Sequence, residues 1–243
     1  MPVLTVTVLT VTVSRETTNG LRMTPVSSPL FGDRLPVAEH FVALLTEHGV
    51  ARGLIGPREV DRLWERHMLN SAAVAELVPK AATVVDVGSG AGLPGIPLAI
   101  ARPDLRVTLL EPMARRIAWL TEVVEELGID VRVVRGRAEE PDVRRSVGGA
   151  DVVTARAVAP LAKLAGWCLP LVAPGGVVLA LKGESASEEL ARDADLVRRA
   201  GGVEASVVTC GADVLPVPTT VVLIHRSASA GQRDGQRRTR KDR

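Results

Sequence analysis

The chain contains no tyrosine, and aromatic residues make up only 2% of its 243 residues. Proteins that bind nucleobases on a platform of stacked rings need several exposed aromatic side chains. Such a platform is therefore not expected. A short-chain dehydrogenase, which would need a tyrosine beside a lysine, is disfavoured for the same reason.

Cysteine and histidine are also scarce. Cys168 and Cys210 lie far apart and form neither a CxxC pair nor a disulfide framework. The four histidines have no spacing that is typical of metal ligands. We therefore expect no metal site and a reducing, cytoplasmic environment.

The amino-terminal stretch MPVLTVTVLTVTV is too short and polar to span a bilayer, and no membrane partner is expected. It alternates Val and Thr like a strand, without the basic n-region or cleavage site of a signal peptide. We expect residues 1–28 to be a disordered or non-native extension, or to pair only as an edge strand. We expect Met23 to be an alternative or the true start.

The net charge of +2 conceals an uneven distribution. Residues 226–243 contain seven Lys or Arg against two Asp, which gives this segment +5 and leaves −3 for the rest of the chain. A basic segment without apolar residues cannot offset its ordering entropy by burial. We expect a disordered tail that either contacts a polyanion or only improves solubility.

Between these ends, apolar runs alternate with helical patterns and predict a doubly wound α/β domain over 29–225. Helices at 36–48, 57–66 and 71–78 form a predicted helical cap over 29–80. The α/β core is predicted over 81–225, with strands 83–87, 106–110, 131–134, 151–155, 176–181, 203–209 and 219–225, and helices 94–101, 113–127, 160–172 and 187–200.

The most informative motif is VVDVGSGAGLPG at 84–95. An apolar run ends in Asp86, and Gly88, Gly90 and Gly92 follow at alternate positions before a helical stretch. Glycine allows positive φ and has no Cβ that would keep a ligand away from the backbone. The motif predicts a nucleoside-type cofactor site at the carboxyl end of a strand.

Charge decides which cofactor fits this motif. GAGLPG at 90–95 also matches the dinucleotide fingerprint GxGxxG, but the carboxylate of Asp86 would repel a pyrophosphate. S-adenosylmethionine carries an ammonium and a sulfonium and no phosphate, so the sequence favours it over NAD. Glu111 ends the second strand, where it is placed to accept ribose hydroxyls. A helix N-cap or a solvated charge is the alternative for Glu111.

Polar residues also follow the later strands at the same rim of the sheet. Ala138 and Glu139 come after strand 131–134, where a backbone amide and an acid can bracket an adenine edge. Arg156 ends the next strand and Lys182 the one after it, and both cations would line a mouth that admits an anionic substrate. The alternative for each is a solvated charge at a strand end.

Five blocks of the sequence together resemble the ribosomal RNA small-subunit methyltransferase G family, formerly called glucose-inhibited division protein B. The blocks are RHMLNSA at 66–72, VDVGSGAGLPGIPLAI at 85–100, GRAEE at 136–140, ARAVAPL at 155–161 and LALKGE at 179–184. The resemblance implies a Rossmann-like class I fold, S-adenosylmethionine as the cofactor, and methylation of N7 of a guanine in 16S rRNA. The implied partner is 16S rRNA or the small ribosomal subunit, and a monomer is expected.

The resemblance also implies roles for individual residues. Arg156 and Lys182 would face the guanosine or its phosphates, as the catalytic pair. His67 and Asn70 would close the pocket from the cap, with a helix-end role as the alternative for His67. Carried over by position, the residues that bound the cofactor are Gly88, Leu93, Ala138, Glu139 and Arg156, and Asp86, Gly90 and Glu111 join them by the arguments above.

Guanine N7 has an in-plane lone pair and no proton to lose, so this reaction needs alignment and no catalytic base. The guanine ring would be held by arginine, by Trp64 or by apolar groups. Two other classes stay open: an NAD-dependent dehydrogenase, and a non-catalytic RNA-binding or assembly factor that retains the fold. The chain departs from the family at Pro218-Thr219-Thr220, where many relatives have a basic residue.

Overall fold

The computed structural model describes residues 7–8 and 28–228 of the chain. The rest of the predicted amino-terminal extension, and the predicted tail beyond residue 228, lie outside the described residues. Thr7–Val8 form a two-residue strand that pairs in parallel with the edge of the sheet.

One mixed sheet forms the centre of the molecule. Its order is β1-β7-β8-β6-β5-β2-β3-β4, and β8 is antiparallel to both of its neighbours, whereas the other pairings are parallel. All seven predicted strands are present, which confirms the doubly wound α/β prediction. The strands are β1 (Thr7–Val8), β2 (Thr83–Val87), β3 (Arg106–Glu111), β4 (Val131–Arg135), β5 (Ala150–Arg156), β6 (Val172–Lys182), β7 (Gly202–Cys210) and β8 (Thr219–Arg226).

Eight α-helices are described, five of them on the two faces of the sheet. One of these, α6, was not predicted, because its seven residues PDVRRSV are mostly polar and bury only Val143 and Val147. Its Pro141 occupies the first helical turn, where a missing N–H costs nothing. The helices are α1 (Ser28–Phe31), α2 (Leu35–His48), α3 (Asn70–Ala73), α4 (Gly95–Ala101), α5 (Ala114–Glu126), α6 (Pro141–Val147), α7 (Leu161–Cys168) and α8 (Ala186–Arg199).

The cap contains an irregular helical stretch where two separate helices were predicted. It begins as a 3₁₀ helix at Pro57–Arg62, widens to a π-helix at Leu63–Leu69, and continues through α3 into a 3₁₀ turn at Val74–Leu77. No Gly or Pro interrupts the sequence between residues 58 and 78, so nothing ends the first helix where the prediction ended it. π-Helical turns are rare and often lie at functional sites.

Alternate residues of the strands pack into two cores. On one face, Val84, Leu109 and Val152 lie beneath α4, α5 and the cap. On the other face, Val85, Leu110 and Val153 pack against α6, α7 and α8. A period of two residues along each strand produces this division.

The chain changes its direction of winding at β2, which pairs with β3 on one side and with β5 on the other. In open α/β sheets, ligands bind beyond the carboxyl ends of the strands at such a switch point. The predicted glycine turn follows β2 at this position.

The predicted start of the basic tail needs a correction. β8 continues through Arg226, whose Nη1 donates to the backbone carbonyls of Pro170 and Val172. Arg226 therefore belongs to the sheet, where it pairs with Gly202 of β7.

Candidate active site

A cavity of about 670 Å³ lies beyond the carboxyl ends of β2, β3, β4 and β5. This volume is in the range of small-molecule sites. The strand ends form one wall and the cap forms the other. The predicted site residues in these walls are Gly88, Gly90, Leu93, Glu111, Ala138, Glu139 and Arg156, together with His67. Asp86, Asn70 and Lys182 do not line the cavity.

The glycine turn forms the floor of the cavity. Gly88 and Gly90 have φ angles of +71° and +58°, which glycine adopts without strain. The Gly88 N–H donates to the carbonyl of Leu110 at 2.8 Å and so fixes the turn to β3. A Cβ on Gly90 would meet no atom closer than 3.7 Å. At Gly88, by contrast, a Cβ would lie 2.9 Å from Cγ2 of Val158. The backbone of the turn is therefore open at Gly90 and is packed closely against Val158 at Gly88.

Gly92, the third glycine, serves packing instead. A Cβ at this position would lie 2.4 Å from Cδ1 of Ile96 and 3.3 Å from Cζ of Phe41. The neighbouring Ala91 carbonyl accepts a hydrogen bond from the indole of Trp119 at 3.0 Å. These contacts join the turn to the cap and to α5.

Glu111 is buried behind the same turn, with 1% of its surface exposed. Its Oε2 accepts the Gly90 N–H and its Oε1 accepts the Met113 N–H, both at 3.0 Å. The solvated-charge alternative is therefore wrong, and so is the N-cap alternative, because the N-cap residue of α5 is Met113. Each carboxylate oxygen can accept a further hydrogen bond. Binding to ribose hydroxyls stays a prediction that this position allows.

The predicted direct contact between Asp86 and the cofactor is not what the structure shows. The carboxylate is completely buried, and its oxygens accept hydrogen bonds from Thr154 Oγ1 at 2.9 Å and from the Gly95 N–H at 3.2 Å. Burial raises its pKa to about 6, against the lowering effect of these hydrogen bonds and of Arg156. Asp86 holds β2, β5 and α4 together beneath the turn.

The loop after β4 forms a further part of the wall. Ala138 is buried, and its carbonyl accepts a hydrogen bond from Arg144 Nε at 3.1 Å, whereas Glu139 is exposed. The Gly136 N–H donates to the Glu111 carbonyl at 3.2 Å, which keeps this loop beside the end of β3. The loop therefore lies in the cavity wall, and its contact with an edge of the cofactor stays a prediction.

Arg156 projects from the end of β5 toward the cap. Its Nη1 donates to Ser71 Oγ at 3.1 Å and to the His67 carbonyl at 3.4 Å, and its Nη2 donates to His67 Nδ1. Burial, and then the charge of Arg66, lower its pKa, but an arginine in a protein remains charged. A guanidinium has more donors than these contacts use, so part of it is available to a ligand in the cavity.

The imidazole of His67 lies between Arg156 and an acid of the cap. Its Nε2 is 2.6 Å from Oε2 of Glu59, and its Nδ1 faces the Arg156 guanidinium. Burial and the charge of Arg156 lower the pKa of His67, against the raising effect of Glu59. The hydrogen bond from His67 in turn lowers the pKa of Glu59. His67 therefore lies in the cavity wall, as predicted, in surroundings that disfavour the protonated ring.

Lys182 has a different position from the one predicted. Its Nζ donates to the Ala159 carbonyl at 3.0 Å and lies 2.7 Å from Oε2 of Glu189 on α8. Of the two predicted catalytic cations, Arg156 alone lines the cavity. Lys182 instead holds the loop that follows Arg156, through its hydrogen bond to the Ala159 carbonyl. The two preceding residues of that loop, Ala157 and Val158, form part of the cavity wall.

Several residues of the wall were not predicted, among them Glu59, Arg66, Met113, Arg116 and Trp167. Glu59 and Arg66 lie on the irregular helical stretch, whose geometry the sequence pattern does not reveal. Met113 and Arg116 follow Glu111 closely, and that proximity was a usable signal. Trp64 packs instead against Phe31, with ring centroids 6.0 Å apart, and does not line the cavity.

The part of the chain that the structure describes contains no cluster of three or more His, Cys, Asp or Glu that could hold a metal ion. None of the helices there is long and apolar enough to cross a membrane. Cys168 and Cys210 are buried free thiols whose pKa values are raised by burial.

Residues 34–216 match the family model described as rRNA small subunit methyltransferase G. The chain belongs to this family. It is 59% identical over 204 residues to the ribosomal RNA small subunit methyltransferase G of Rhodococcus jostii. The aligned region covers 84% of this chain and 90% of the Rhodococcus protein. It is 61% identical over 206 residues to the protein of that name from Salinispora arenicola, covering 81% and 84% of the two chains.

Solved structures agree with the fold. A Nostoc punctiforme protein described as a proposed O-methyltransferase aligns with a TM-score of 0.50 at 17% identity and covers 65% of this chain and 57% of that chain. Family membership establishes a methyltransferase that acts on ribosomal RNA, with the predicted class I fold and S-adenosylmethionine as the cofactor. The NAD-dependent dehydrogenase alternative is therefore excluded.

Proposed function

We propose that this enzyme methylates N7 of a guanine in the 16S rRNA of the small ribosomal subunit. The main structural support is the state of His67, the cavity residue whose ordinary pKa best suits a general base at neutral pH. Its Nδ1 lone pair is occupied by Arg156 and its Nε2 faces Glu59. A site without a free imidazole suits an acceptor atom that has no proton to lose.

The core residues of the cavity would hold the cofactor. When bound, S-adenosylmethionine supplies an electrophilic methyl group on a sulfonium. Gly90 leaves the floor open to it and Gly88 lines the floor beside Val158. Glu111 would accept its ribose hydroxyls, and Leu93, Ala138 and Glu139 would bound the remainder. The buried carboxylate of Asp86 adds negative potential beneath the turn without touching the cavity.

The residues that would meet the RNA are cations of the same walls. Arg66, Arg137 and Arg156 line the cavity, and arginine is suited to phosphate groups and to the O6 edge of guanine. A cation placed at O6 orients the base and must leave N7 free, because positive charge accumulates there during transfer. Orientation by Arg156 would therefore contribute more than acid–base chemistry.

We propose that the enzyme acts as a monomer. We also propose that the enzyme works in the cytoplasm, since ribosomal RNA is its substrate. Light scattering of the purified protein, alone and with S-adenosylmethionine, tests the first of these statements.

Methyl transfer with radiolabelled S-adenosylmethionine tests the main proposal. We expect label in 16S rRNA when isolated small subunits lacking the modification are the substrate, and we expect it in 7-methylguanosine after nuclease digestion. Naked 16S rRNA, in a parallel reaction, shows whether assembled protein is required. Label in another nucleoside would contradict the N7 assignment, and tight RNA binding without any transfer would support the non-catalytic alternative.

A further inference from the structure

A chain of polar contacts connects the cap to the end of β5 and crosses one wall of the cavity. It runs from the Glu59 carboxylate through the His67 imidazole to the Arg156 guanidinium, and it ends at the Ser71 hydroxyl. Three of these residues belong to the irregular helical stretch, and Arg156 belongs to the core. The side chains of His67 and Glu59 are 13% and 30% exposed.

The chemistry of the partners fixes the protonation state of the ring. A guanidinium can only donate, so Arg156 Nη2 requires an unprotonated Nδ1 on His67. The proton of the neutral ring must then be on Nε2, from which it is donated to the Glu59 carboxylate across 2.6 Å. The neutral ring with its proton on Nε2 can accept from Arg156 and donate to Glu59. The doubly protonated ring can still donate to Glu59, but it can no longer accept from Arg156.

We propose that His67 is a positioning residue: it holds the Arg156 guanidinium in the cavity through Nδ1, and protonation of the ring at acid pH releases it. The inference rests on the proposed role of Arg156 in binding cofactor and RNA. It does not depend on which atom of the RNA receives the methyl group.

The charged groups around the ring determine where it titrates. Arg66 adjoins it on the π-helix and Arg156 faces it from β5, and both oppose a further positive charge. Glu59 favours the protonated form, while Arg62 and Arg66 stabilise the Glu59 carboxylate. Burial and the arginines prevail, so the pKa of His67 lies below its ordinary value of 6.5. Methyl transfer should therefore be flat through neutral pH and fall only at more acid pH.

Two substitutions separate the contacts of the ring. In His67→Asn, the side-chain oxygen can occupy the place of Nδ1 and still accept from Arg156. In His67→Gln, the longer amide reaches the place of Nε2 and Glu59 but offers Arg156 nothing. We expect His67→Asn to keep methyl transfer within about threefold of the unmodified protein, and His67→Gln to lose roughly tenfold or more, as for a charge-assisted hydrogen bond.

The pH profile separates positioning from general-base catalysis. We expect His67→Asn to remove the acid limb, because an amide does not titrate in this range. A general base would instead give an inactive His67→Asn variant. Equal losses in the Asn and Gln variants would overturn the proposal, and thermal unfolding of both variants shows whether either loss comes from misfolding.

Nitrogen-15 NMR of the histidine rings tests the proposal without any RNA. The chain has four histidines, and the signals absent from His67→Asn identify His67. At pH 7 we expect a neutral ring with the proton on Nε2. We expect the protonation state of the ring to change on acidification, and also in Arg156→Met. A proton on Nδ1, or a ring unaffected by Arg156→Met, would overturn the proposal even if the enzyme proves to methylate a different atom. Failure to form 7-methylguanosine, with the expected ring signals, would contradict only the proposed function.

Discussion

The two walls of the cavity are built in different ways. The core wall, formed by Gly88, Gly90, Glu111 and Ala138, consists mainly of backbone and of a carboxylate that holds backbone amides. The cap wall, formed by Leu54, Ile55, Glu59, Arg66 and His67, consists of side chains on loops and on 3₁₀ and π-helical turns.

This difference indicates a division of work. Backbone groups at strand ends are fixed by the sheet, which suits a cofactor of constant shape. Side chains on an irregular helix can be rearranged at lower cost, which suits a large RNA that must enter and leave. Arg156 lies at the end of β5 in the core and donates hydrogen bonds to Ser71 and His67 in the cap. It therefore links the two walls.

Arg156→Ala should have the largest effect, because it breaks that junction. We expect cofactor affinity to fall by at least about tenfold and methyl transfer by about a hundredfold, through loss of charge-assisted hydrogen bonds on both sides. Calorimetric titration with S-adenosylmethionine and single-turnover transfer measure the two losses. Arg145→Ala, on the exposed face of α6, is the matched control and should change neither. Unchanged cofactor affinity in Arg156→Ala would assign the residue to the cap wall alone.

Gly90→Ala tests the core wall by itself. The new methyl group would project into open cavity, so we expect cofactor affinity to fall by about tenfold or more. Gly128→Ala is a close control, since Gly128 has the same φ of +58° and open space around it but does not line the cavity.

Both glycine variants should lose roughly 1–2 kcal/mol of stability from the left-handed backbone. Only Gly90→Ala should lose cofactor affinity. If calorimetric titration gives equal affinities for the two variants, the turn is not part of the cofactor site.

Lys182→Met should have an intermediate effect. We expect methyl transfer to fall by roughly tenfold and cofactor affinity to stay nearly constant, since Lys182 holds Ala159 and not the glycine turn. Glu189→Gln separates two explanations. This substitution weakens the ion pair between Lys182 and Glu189. If Lys182 acts by holding the loop, methyl transfer should become slightly slower. Faster transfer would favour a direct interaction between the lysine charge and the RNA.

Asp86→Asn should have the smallest effect on transfer and a measurable effect on stability. The folded pKa of about 6 lies above the ordinary value of 3.8, so the native state binds more protons than the unfolded state between these values. This group therefore makes the protein less stable as the pH rises from about 4 to 6, by at most about 3 kcal/mol.

An amide at position 86 can accept from Gly95 and donate to Thr154, whose hydroxyl can reverse its role. We expect the difference in stability between the two proteins to shift in favour of Asp86→Asn when the pH is raised from 4.5 to 7.5. Thermal unfolding of both proteins at the two pH values measures this shift. The same pH dependence in both proteins would show that Asp86 is not titrating in this range.

The core wall could be predicted from the sequence because short motifs encode backbone. Alternating glycines after an apolar strand specify a turn, and an acid at the end of the next strand necessarily lies beside it. The same reasoning predicted too much for Asp86 and Lys182. A strand-end position specifies the edge of the sheet on which a residue lies, but not whether its charge faces a ligand or a partner such as Thr154 or Glu189.

The cap wall could be predicted only in part. The family resemblance implied that His67 lies near the pocket, but the π-helical winding that aligns it with Glu59 and Arg156 has no signature in residue spacing. A helix of regular winding repeats every 3.6 residues. Glu59 and His67 are eight residues apart, and the irregular winding of this stretch brings them into contact. That winding depends on tertiary packing, which a local sequence pattern does not contain.

The absence of tyrosine leaves tryptophan as the source of the protein's fluorescence. Trp119 is completely buried against the turn, Trp64 packs within the cap, and Trp167 lines the cavity with Lys163 Nζ 5.0 Å from its ring centroid. The three indoles thus report separately on the turn, the cap and the cavity. Single-tryptophan versions of the chain would let emission follow the entry of cofactor and the movement of the cap as separate optical signals.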